Sequence, residues 1–572
     1  MKKRAFFNLL VCAALVMALA ACATPAPSAP AATTAPAATD AATAAPTETP
    51  AEANEFGWVK PDKTIEINYY AGMTDSSQFP EKHDEMYNFL LEKFNVKLNK
   101  ITTDVDMTEQ LNLWIVSGEY PEVIANMDPN LAKVWISQGK AQQIDGLVDQ
   151  YGPNIKSQLG ELYKRYYNDD GKLYQLPYCW GLLPIPDWSV TLRYDWWQEI
   201  GSPKFETPEQ FYDVIKQILA KHPTTADGQK VFALSDLGGT GSACSGTWKV
   251  LTGAYGIKDQ YQEAADGTLT HWMNTDIGLK VVKFVNQIYR DGNMDPDFPI
   301  NKFADWQAKY SQERVVATIG SWWHVWTAGH ETWQKNDPNW KWEKRGMNFA
   351  IKAEGVEAAT LTPKDTAGYY RCIITDKCTE PEKVIKWWNF EITDLGTKLI
   401  CWGIPNAYPQ GLWQLKDGKS VWNDEVVDAW SKGTFNTNEY QLGGAGHFWM
   451  VAGQQKMQNG DPRCEPWCNV WVDQNFNTID PAKKILNENL AGTMFDNSYR
   501  QVTFDPDNPI TVTNQQITDL LNTGWAKIIT AATEADCEKE FNALRDQLNA
   551  AGLKDLEKFR TEEYKKKLEA WK

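Results

Sequence analysis

The strongest constraint on the fold is a regular alternation of strand and helix patterns early in the chain. Apolar and polar residues alternate over 64–70, which is typical of a half-buried strand. A helical pattern, a strand, a second helix and a third strand follow at 81–94, 95–101, 107–116 and 121–127. This order predicts a parallel sheet covered by helices, and so an α/β fold.

Ligands of such sheets gather at the carboxyl ends of the strands. The loop 71–79 follows the first predicted strand and contains Asp75, and Asp128 follows the third. We take both carboxylates as candidate ligand contacts. The alternative for each is a structural role, because Asp often caps a turn.

A second unit of similar pattern begins after Trp188. Thr207-Pro208-Glu209-Gln210 is a capping box with proline at the first helical position. Further helices and strands are predicted at 276–290, 313–320, 370–374, 533–550 and 553–571. The chain has 572 residues, too many for one simple core, so we expect two lobes.

The amino terminus carries an export signal. Three basic residues precede a short apolar stretch that ends in Leu19-Ala20-Ala21-Cys22, and this stretch is shorter than the ~20 residues of a good membrane span. The run resembles the lipobox of bacterial lipoproteins, which implies cleavage before Cys22 and a lipid on its sulfur. We therefore expect a signal peptide over 1–21 and a location on the outer face of the cell membrane. The Ala-, Thr- and Pro-rich segment 22–57 cannot bury a core and is expected to be a disordered tether.

The net charge and the cysteine content limit the ligands and the kinds of site that this protein is expected to have. Removal of residues 1–21 leaves 54 basic and 74 acidic residues, a net charge of −20. This acidity argues against nucleic acid, although it says little about a small neutral ligand. Pairing of Cys372 with Cys378 and of Cys464 with Cys468 is plausible outside the cell, and no His stands at ligand spacing from either pair. We expect no metal site and no cofactor.

One acidic stretch resembles a calcium-binding loop in its spacing of oxygen-bearing residues. Asp291-Gly292-Asn293-Met294-Asp295-Pro296-Asp297 alternates oxygen-bearing residues. The glycine at the sixth place and the glutamate at the twelfth place of an EF-hand loop are absent. A helix end followed by a turn is therefore the expected structure here.

Several further segments resemble, in order and spacing, extracellular solute-binding protein family 1, the sugar-binding lipoproteins of ABC importers. They are Gly139–Val148, Asp170-Gly171-Lys172-Leu173-Tyr174 with Pro177, Leu192–Trp197 with the Thr207 box, Glu313–Trp323 and Leu548–Trp571. The chain is similar to the large oligosaccharide-binding branch. This resemblance covers nearly the whole body of the chain, except 401–508.

The resemblance implies a two-lobed periplasmic-binding-protein-like fold of type II, with hinge strands and a ligand cleft between the lobes. One lobe would hold 58–188 and part of 366–572, and the other 189–365 and the rest of 366–572. A monomer that binds carbohydrate, closes, and delivers it to the permease subunits of an ABC importer is the implied function, with no catalysis.

Sugar recognition needs aromatic faces for the C–H face of the ring and planar or charged groups for the hydroxyls. The 27 Trp residues of the chain make aromatic platforms plausible, although most large aromatics fill cores. Besides Asp75 and Asp128, the candidate ligand contacts are Trp180, Trp188, Arg193, Trp322 and Trp402. Trp322 follows Gly320-Ser321 and so matches the cleft Trp of the family, whereas a structural ion pair is the alternative for Arg193.

Other functions stay open at this point. A surface enzyme acting on polysaccharide would use two carboxylates, but no acid/base motif is recognisable. The same fold could present its ligand to a membrane sensor, and a peptide or polyamine could replace the sugar.

The sequence yields one direct test. Trp322→Ala should weaken binding of the saccharide found by a glycan-array or thermal-shift screen, because it removes the expected stacking surface. Full affinity in the Trp322→Ala protein, measured by calorimetry, would show that this Trp is not a ligand contact.

Overall fold

The structure is a computed structural model. It describes residues 52–71, 84–103, 105–178, 188–236, 245–325, 328–329, 331–337, 339–364, 370–409, 411–417, 419–432, 434, 474–475, 477, 481–496 and 498–572. Residues 52–572 belong to one compact unit. Among the described residues, no helix combines the length and the apolar character needed to cross a membrane.

The β-strands are β1 Ile65–Tyr70, β2 Val96–Lys100, β3 Val123–Met127, β4 Gln175–Tyr178, β5 Trp188–Arg193, β6 Phe232–Ser235, β7 Tyr261–Glu263, β8 Leu269–His271, β9 Val315–Ser321, β10 Gly346–Phe349, β11 Thr362–Lys364, β12 Tyr370–Ile374, β13 Trp413–Lys416, β14 Lys419–Trp422 and β15 Met494–Asp496.

The α-helices are α1 Asp84–Phe94, α2 Met107–Ser117, α3 Pro129–Ser137, α4 Asp145–Tyr151, α5 Pro153–Leu159, α6 Tyr194–Glu199, α7 Pro208–Lys221, α8 Ser245–Ala254, α9 Asp276–Arg290, α10 Phe303–Ser311, α11 Trp322–Val325, α12 Glu331–Asn336, α13 Pro381–Glu391, α14 Asp394–Trp402, α15 Asp424–Ser431, α16 Pro481–Asn489, α17 Pro509–Ile529, α18 Glu534–Ala550 and α19 Leu553–Ala570. A 3₁₀ turn at Ser498–Gln501 follows β15.

The first sheet has the strand order β2-β1-β3-β12-β4. Strand β1 runs parallel to β2 and β3, as the alternating pattern predicts. Strand β12 enters antiparallel between β3 and β4, with Arg371 opposite Met127. The chain therefore returns from the second half to complete the sheet that its first strands began.

The second sheet has the order β10-β5-β9-β6. Strand β6 is parallel to β9, whereas β5 is antiparallel to β9 and to β10. The capping box at Thr207 forms as predicted, with Gln210 completing it at the start of α7. The two-lobed α/β fold expected from the sequence is confirmed.

Each sheet has its own hydrophobic core. The core around the first sheet includes Tyr69, Val123 and Tyr178, together with residues of α13 and α14. The core around the second sheet takes in α7, α8 and α9 and the carboxyl-terminal helices α17, α18 and α19. The buried amide of Asn286 fixes this last junction, because its Nδ2 donates to the carbonyls of Ile529 and Ala531 at 2.9 and 2.8 Å.

A separate strand pair stands between the two sheets. Strand β11 pairs in parallel with β15, with Thr362 opposite Met494. Strand β11 leads towards β12 of the first sheet, and β15 leads into the 3₁₀ turn at 498–501. This pair has the position expected of hinge strands.

Cys372 and Cys378, whose pairing the sequence left open as plausible, do not form a disulfide. Cys378 is a free, buried thiol, and burial raises its pKa to about 12. The charge of the adjacent Glu122 carboxylate is the second contribution to this raised pKa. Cys464 and Cys468 lie outside the described residues.

The buried His271 gives a prediction about how the stability of the protein depends on pH. Burial, followed by the nearby Arg560 charge, lowers the pKa of His271 to about 3 from its usual 6.5. The unfolded chain gains this proton as the pH falls through 6.5, and the folded chain does not. Stability should therefore fall by up to ~1.4 kcal/mol per pH unit for this residue between pH 6.5 and 3. Urea unfolding of wild type and His271→Gln at several pH values checks this, since the variant should show a shallower loss. Parallel pH profiles for the two proteins would contradict the assignment.

Candidate functional site

One end of each sheet contacts the segments β11 and 498–501, since Trp188 of β5 donates to Thr362 and Arg371 of β12 donates to Gln501. We call this region the junction. Strand β3 ends at Met127, and Tyr370 begins β12 beside it. In the second sheet Trp188 begins β5 opposite Ser321, the last residue of β9. The backbone N–H of Trp188 donates to Oγ1 of Thr362 in the hinge strand β11 at 3.2 Å, so the second sheet contacts the hinge strand here.

Asp128 and Tyr370 line the first-sheet side of this junction. Asp128 caps α3, and one carboxylate oxygen accepts from the N–H groups of Asn130 and Leu131 at 2.8 and 3.4 Å. The ring of Tyr370 remains 37% exposed, unusual for a large aromatic at a sheet end. Partial burial raises the pKa of Tyr370, and the negative charge of Asp128 adds to this, while Arg500 opposes it.

A chain of charges joins the hinge to the second sheet. Arg500, in the 3₁₀ turn after β15, lies 3.4 Å from Oδ2 of the buried Asp259. Lys249 of α8 lies 3.6 Å from Oδ1 of the same carboxylate. Burial raises the pKa of Asp259, but Lys249 and Arg500 outweigh it and hold that pKa below its usual value. Asp259 is thus a fixed anion that orders two cations beside the junction.

Trp188 lies on the second-sheet side. The ammonium of Lys249 sits over its ring, 4.2 Å from the centroid, and the ring of His324 approaches edge-on at 6.0 Å. A Cβ at Gly246 would come within 3.1 Å of Trp188 Cζ3, so glycine here allows α8 to approach the indole closely. Helix α8 therefore fixes the orientation of the ring, which stays partly exposed.

His324 adds an uncharged polar group next to Trp188. Its Nδ1 accepts from the N–H of Ser321 at 3.3 Å, which leaves the proton on Nε2. Burial lowers the pKa of His324 to about 4, so the ring is neutral near pH 7. A Cβ at position 320 would lie 2.7 Å from Nδ1, and Gly320 makes the approach possible.

A cavity of about 400 Å³ lies away from this junction, near the amino end of β3. Its walls include Trp114, Tyr120 and Glu122. Glu122 already accepts from Asn68 and from Lys383, so this polar wall is satisfied within the protein. We therefore place the candidate site at the junction of the sheets.

This junction combines the groups that bind uncharged polar ligands. It contains the exposed phenol of Tyr370 and the partly exposed indole of Trp188. The carboxylate of Asp128 lies on the first side, and the ammonium of Lys249 and the neutral imidazole of His324 lie beside the indole. In the part of the chain that the structure describes, no three His, Cys, Asp or Glu side chains are grouped so as to hold a metal ion.

Solved structures show which fold this is. The chain matches an extracellular solute-binding protein from Bifidobacterium longum subsp. infantis with a TM-score of 0.63 and 12% identity, over 90% of this chain and 100% of that one. It matches FusA of Streptococcus pneumoniae in complex with kestose with a TM-score of 0.59 and 16% identity, over 88% and 99%. The alginate-binding protein AlgQ2 matches with a TM-score of 0.61 and 17% identity, over 89% and 99%. The chain has the solute-binding-protein fold.

Curated relatives agree with this assignment, which confirms the resemblance seen in the sequence. Over 320 residues the chain is 26% identical to FusA, a fructooligosaccharide ABC transporter substrate-binding protein of S. pneumoniae, covering 52% of this chain and 55% of FusA. Over 236 residues it is 22% identical to the polygalacturonan/rhamnogalacturonan-binding protein YtcQ of Bacillus subtilis, covering 39% and 46%. The matches thus span about half the length of these relatives. No protein-family model matches the chain.

The sequence-predicted contacts reach the junction of this solute-binding fold only in part. Asp128 and Trp188 lie at it, on opposite sides. Asp75 and Trp180 lie outside the described residues. Trp322 opens α11 directly after β9, and its side chain also lies outside what the structure describes.

Trp402 is in the core and not at this junction, which corrects the sequence interpretation. It is 1% exposed and stacks on Trp422 with centroids 4.4 Å apart and planes 8° apart. Trp402 is the last residue of α14, and Gly403 ends that helix.

Arg193 is likewise a structural residue. This is the alternative that the sequence analysis gave for it, a structural ion pair. Its guanidinium lies between the rings of Trp196 and Trp333, at 4.2 and 4.5 Å from their centroids. It donates two hydrogen bonds to Asp195, at 2.9 and 2.6 Å, and pairs with Glu313 at 3.3 Å. With 2% exposure it has no surface to offer a ligand.

Sequence reasoning missed Tyr370, Lys249 and Arg500. Tyr370 was recognised only as the start of a strand, because nothing local says that the strand enters the first sheet beside Asp128. Lys249 and Arg500 are 251 positions apart and meet only through Asp259. Only the tertiary fold brings these two residues together, and no spacing in the sequence reveals this.

The structural role of Arg193 gives a stability prediction. Arg193→Met removes the cation and its charge-assisted hydrogen bonds to Asp195, whose carboxylate stays partly solvated, so we expect a loss of about 1.5–3 kcal/mol in unfolding free energy. Denaturant unfolding measures this, with Arg545→Met as a control on a less buried arginine. A stable Arg193→Met protein with weakened saccharide binding would instead make Arg193 a ligand contact.

Proposed function

We propose that this protein is an exported, lipid-anchored solute-binding protein that captures an oligosaccharide between its two lobes and delivers it to the permease subunits of an ABC importer. The observation that carries the proposal is the pair of accessible aromatic rings, Tyr370 and Trp188, at one junction but on different sheets. Asp128 stands beside the first ring, and Lys249 and His324 stand beside the second.

The chemistry of this junction suits a saccharide. The C–H face of a pyranose or furanose ring is apolar and slightly positive, so it packs against the electron-rich face of an indole or phenol. The hydroxyls need partners, because a buried unpaired hydroxyl costs about 1–3 kcal/mol. Carboxylates and cations form the stronger, charge-assisted bonds to hydroxyls.

Closure of the lobes would couple binding to delivery. A ligand that contacts both Tyr370 and Trp188 interacts fully only when the two sheets approach each other, so binding shifts the population towards the closed form. The hinge strands β11 and β15 are where such a motion would bend. Permease subunits could then distinguish the loaded from the empty protein by its shape.

Relatives support transport over catalysis. FusA and YtcQ are named for binding, and FusA is named as part of an ABC transporter. A reducing-sugar assay on mixed glycans separates the two functions, because a binding protein releases no reducing ends. Turnover would favour a polysaccharide-active enzyme, and copurification with a sensor kinase instead of a permease would favour a sensing role.

A thermal-shift screen against short oligosaccharides is the first experiment. A ligand present at 100 times its Kd stabilises the folded protein by ~2.7 kcal/mol. Neutral fructans, N-glycan fragments and uronic-acid oligomers should all be included, together with peptides and polyamines. A hit among peptides or polyamines only would contradict the carbohydrate assignment.

Tyr370 can be tested against a matched residue. Tyr370→Ala should weaken binding of the hit roughly tenfold, ~1.4 kcal/mol, because a stacking surface is lost. Tyr167 is 38% exposed, almost the same fraction as Tyr370, and sits apart from the junction. Calorimetry on Tyr370→Ala and Tyr167→Ala should show a loss in the first only, and equal affinities would contradict the site.

The anchor can be tested in cells. One curated relative, LipO of B. subtilis, is named a lipoprotein, over 38% of this chain. Cys22→Ser should abolish incorporation of labelled palmitate and release the protein from the membrane fraction, because the only proposed lipid carrier is gone. Cys12→Ser, in the same signal segment, is the control and should change neither. Membrane retention of a Cys22→Ser protein without label would rule out this anchor.

A further inference from the structure

Lys309 of α10 inserts its ammonium into a group of oxygens in the second lobe. Nζ lies 3.0 and 2.8 Å from the two carboxylate oxygens of Asp295, 3.0 Å from Oδ2 of Asp297 and 3.1 Å from Oδ1 of Asn301. The side chain of Lys309 is 12% exposed and that of Asp295 is 1% exposed. This is an almost fully enclosed ion pair and not a surface contact.

Asp295 is the centre of the group. Its Oδ2 also accepts from Oγ of Ser235 at 2.7 Å and from Nδ2 of Asn301 at 2.8 Å, and its Oδ1 accepts from the N–H of Asp297 at 3.1 Å. Burial raises the pKa of Asp295, but the hydrogen bonds from Lys309, Asn301 and Ser235 outweigh it and lower that pKa. Asp295 is therefore a buried anion that requires a cation.

Asp295 and Asp297 belong to the acidic stretch 291–297, which alternates oxygen-bearing residues as calcium loops do, and Asn301 follows it. A calcium ion would need six to eight oxygens at about 2.3–2.6 Å. Here only three residues, Asp295, Asp297 and Asn301, direct side-chain oxygens at a common position. The ammonium nitrogen of Lys309 occupies that position at hydrogen-bonding distance. We propose that the Lys309 ammonium is the built-in cation of this loop, so that this part of the protein assembles without a divalent metal.

The network extends from Lys309 to the carboxyl end of strand β6. Nδ2 of Asn301 donates to the backbone carbonyl of Asp236 at 3.1 Å and to Oγ of Ser235 at 3.2 Å. The N–H of Asp295 donates to the carbonyl of Leu234 at 2.9 Å. Lys309 thus holds, through Asp295 and Asn301, the carboxyl end of β6. This inference does not depend on the identity of the ligand.

The test compares melting temperatures of the full chain in EDTA and in millimolar calcium chloride. Lys309→Met removes the charge and keeps most of the volume, so it should melt at least about 5 °C below wild type in both solutions. Lys309→Ala removes the charge and opens space, so calcium should restore part of its loss. Lys309→Ala combined with Asp295→Asn should lose that recovery. Lys216→Met, which breaks an exposed pair with Asp213, is the control and should match wild type.

Two results would overturn the proposal. One is a Lys309→Met protein that melts with wild type. The other is a Lys309→Ala protein that gains no more from calcium than wild type does. If the Lys309 variants do not fold, Asp297→Asn removes a single contact at an exposed carboxylate. It should lower the melting temperature by roughly 1 °C or more, and an unchanged value would contradict the role of the ammonium.

Discussion

The antiparallel insertion of β12 into the first sheet is the contact on which the rest of this structure depends. It obliges the chain to leave the second lobe and return to the first, with Tyr370 set next to Asp128 at the sheet edge. The same return path carries the hinge strand β11, whose Thr362 accepts a hydrogen bond from Trp188. The completed first sheet, the hinge strand and the candidate site are thus consequences of one strand pairing.

The elements themselves could be predicted well from the sequence, because their signals are local. Helix α9 begins and ends where its pattern predicts, at Asp276 and Arg290, and β1 differs from prediction by a single residue. The placement of β12 could not be predicted, because its pairing with β3 joins residues about 250 positions apart and no local pattern encodes that choice. The candidate site divides in the same way. Asp128 follows a recognisable strand, whereas Tyr370, Lys249 and Arg500 are brought together only by the fold.

The abundance of tryptophan misled the sequence analysis at Trp402, whereas Trp188 is partly exposed and stays a predicted ligand contact. Most large indoles among the described residues fill cores, and Trp135, Trp306, Trp387 and Trp388 are all fully buried. Trp188 differs because it is the first residue of β5. Helix α8 packs against its ring at Gly246 and Lys249. Exposure at a strand end, and not the number of aromatic residues, separates a candidate ligand contact from core filling.

The central claim is that one saccharide contacts both sheets at this junction. A crystal structure of the protein with the oligosaccharide found by screening tests it most directly. The account predicts a sugar ring against Tyr370 and another ring or hydroxyl group against Trp188, with Asp128 within hydrogen-bonding distance of the ligand. A saccharide bound to one lobe only, or in the cavity beside Trp114 and Tyr120, would contradict it.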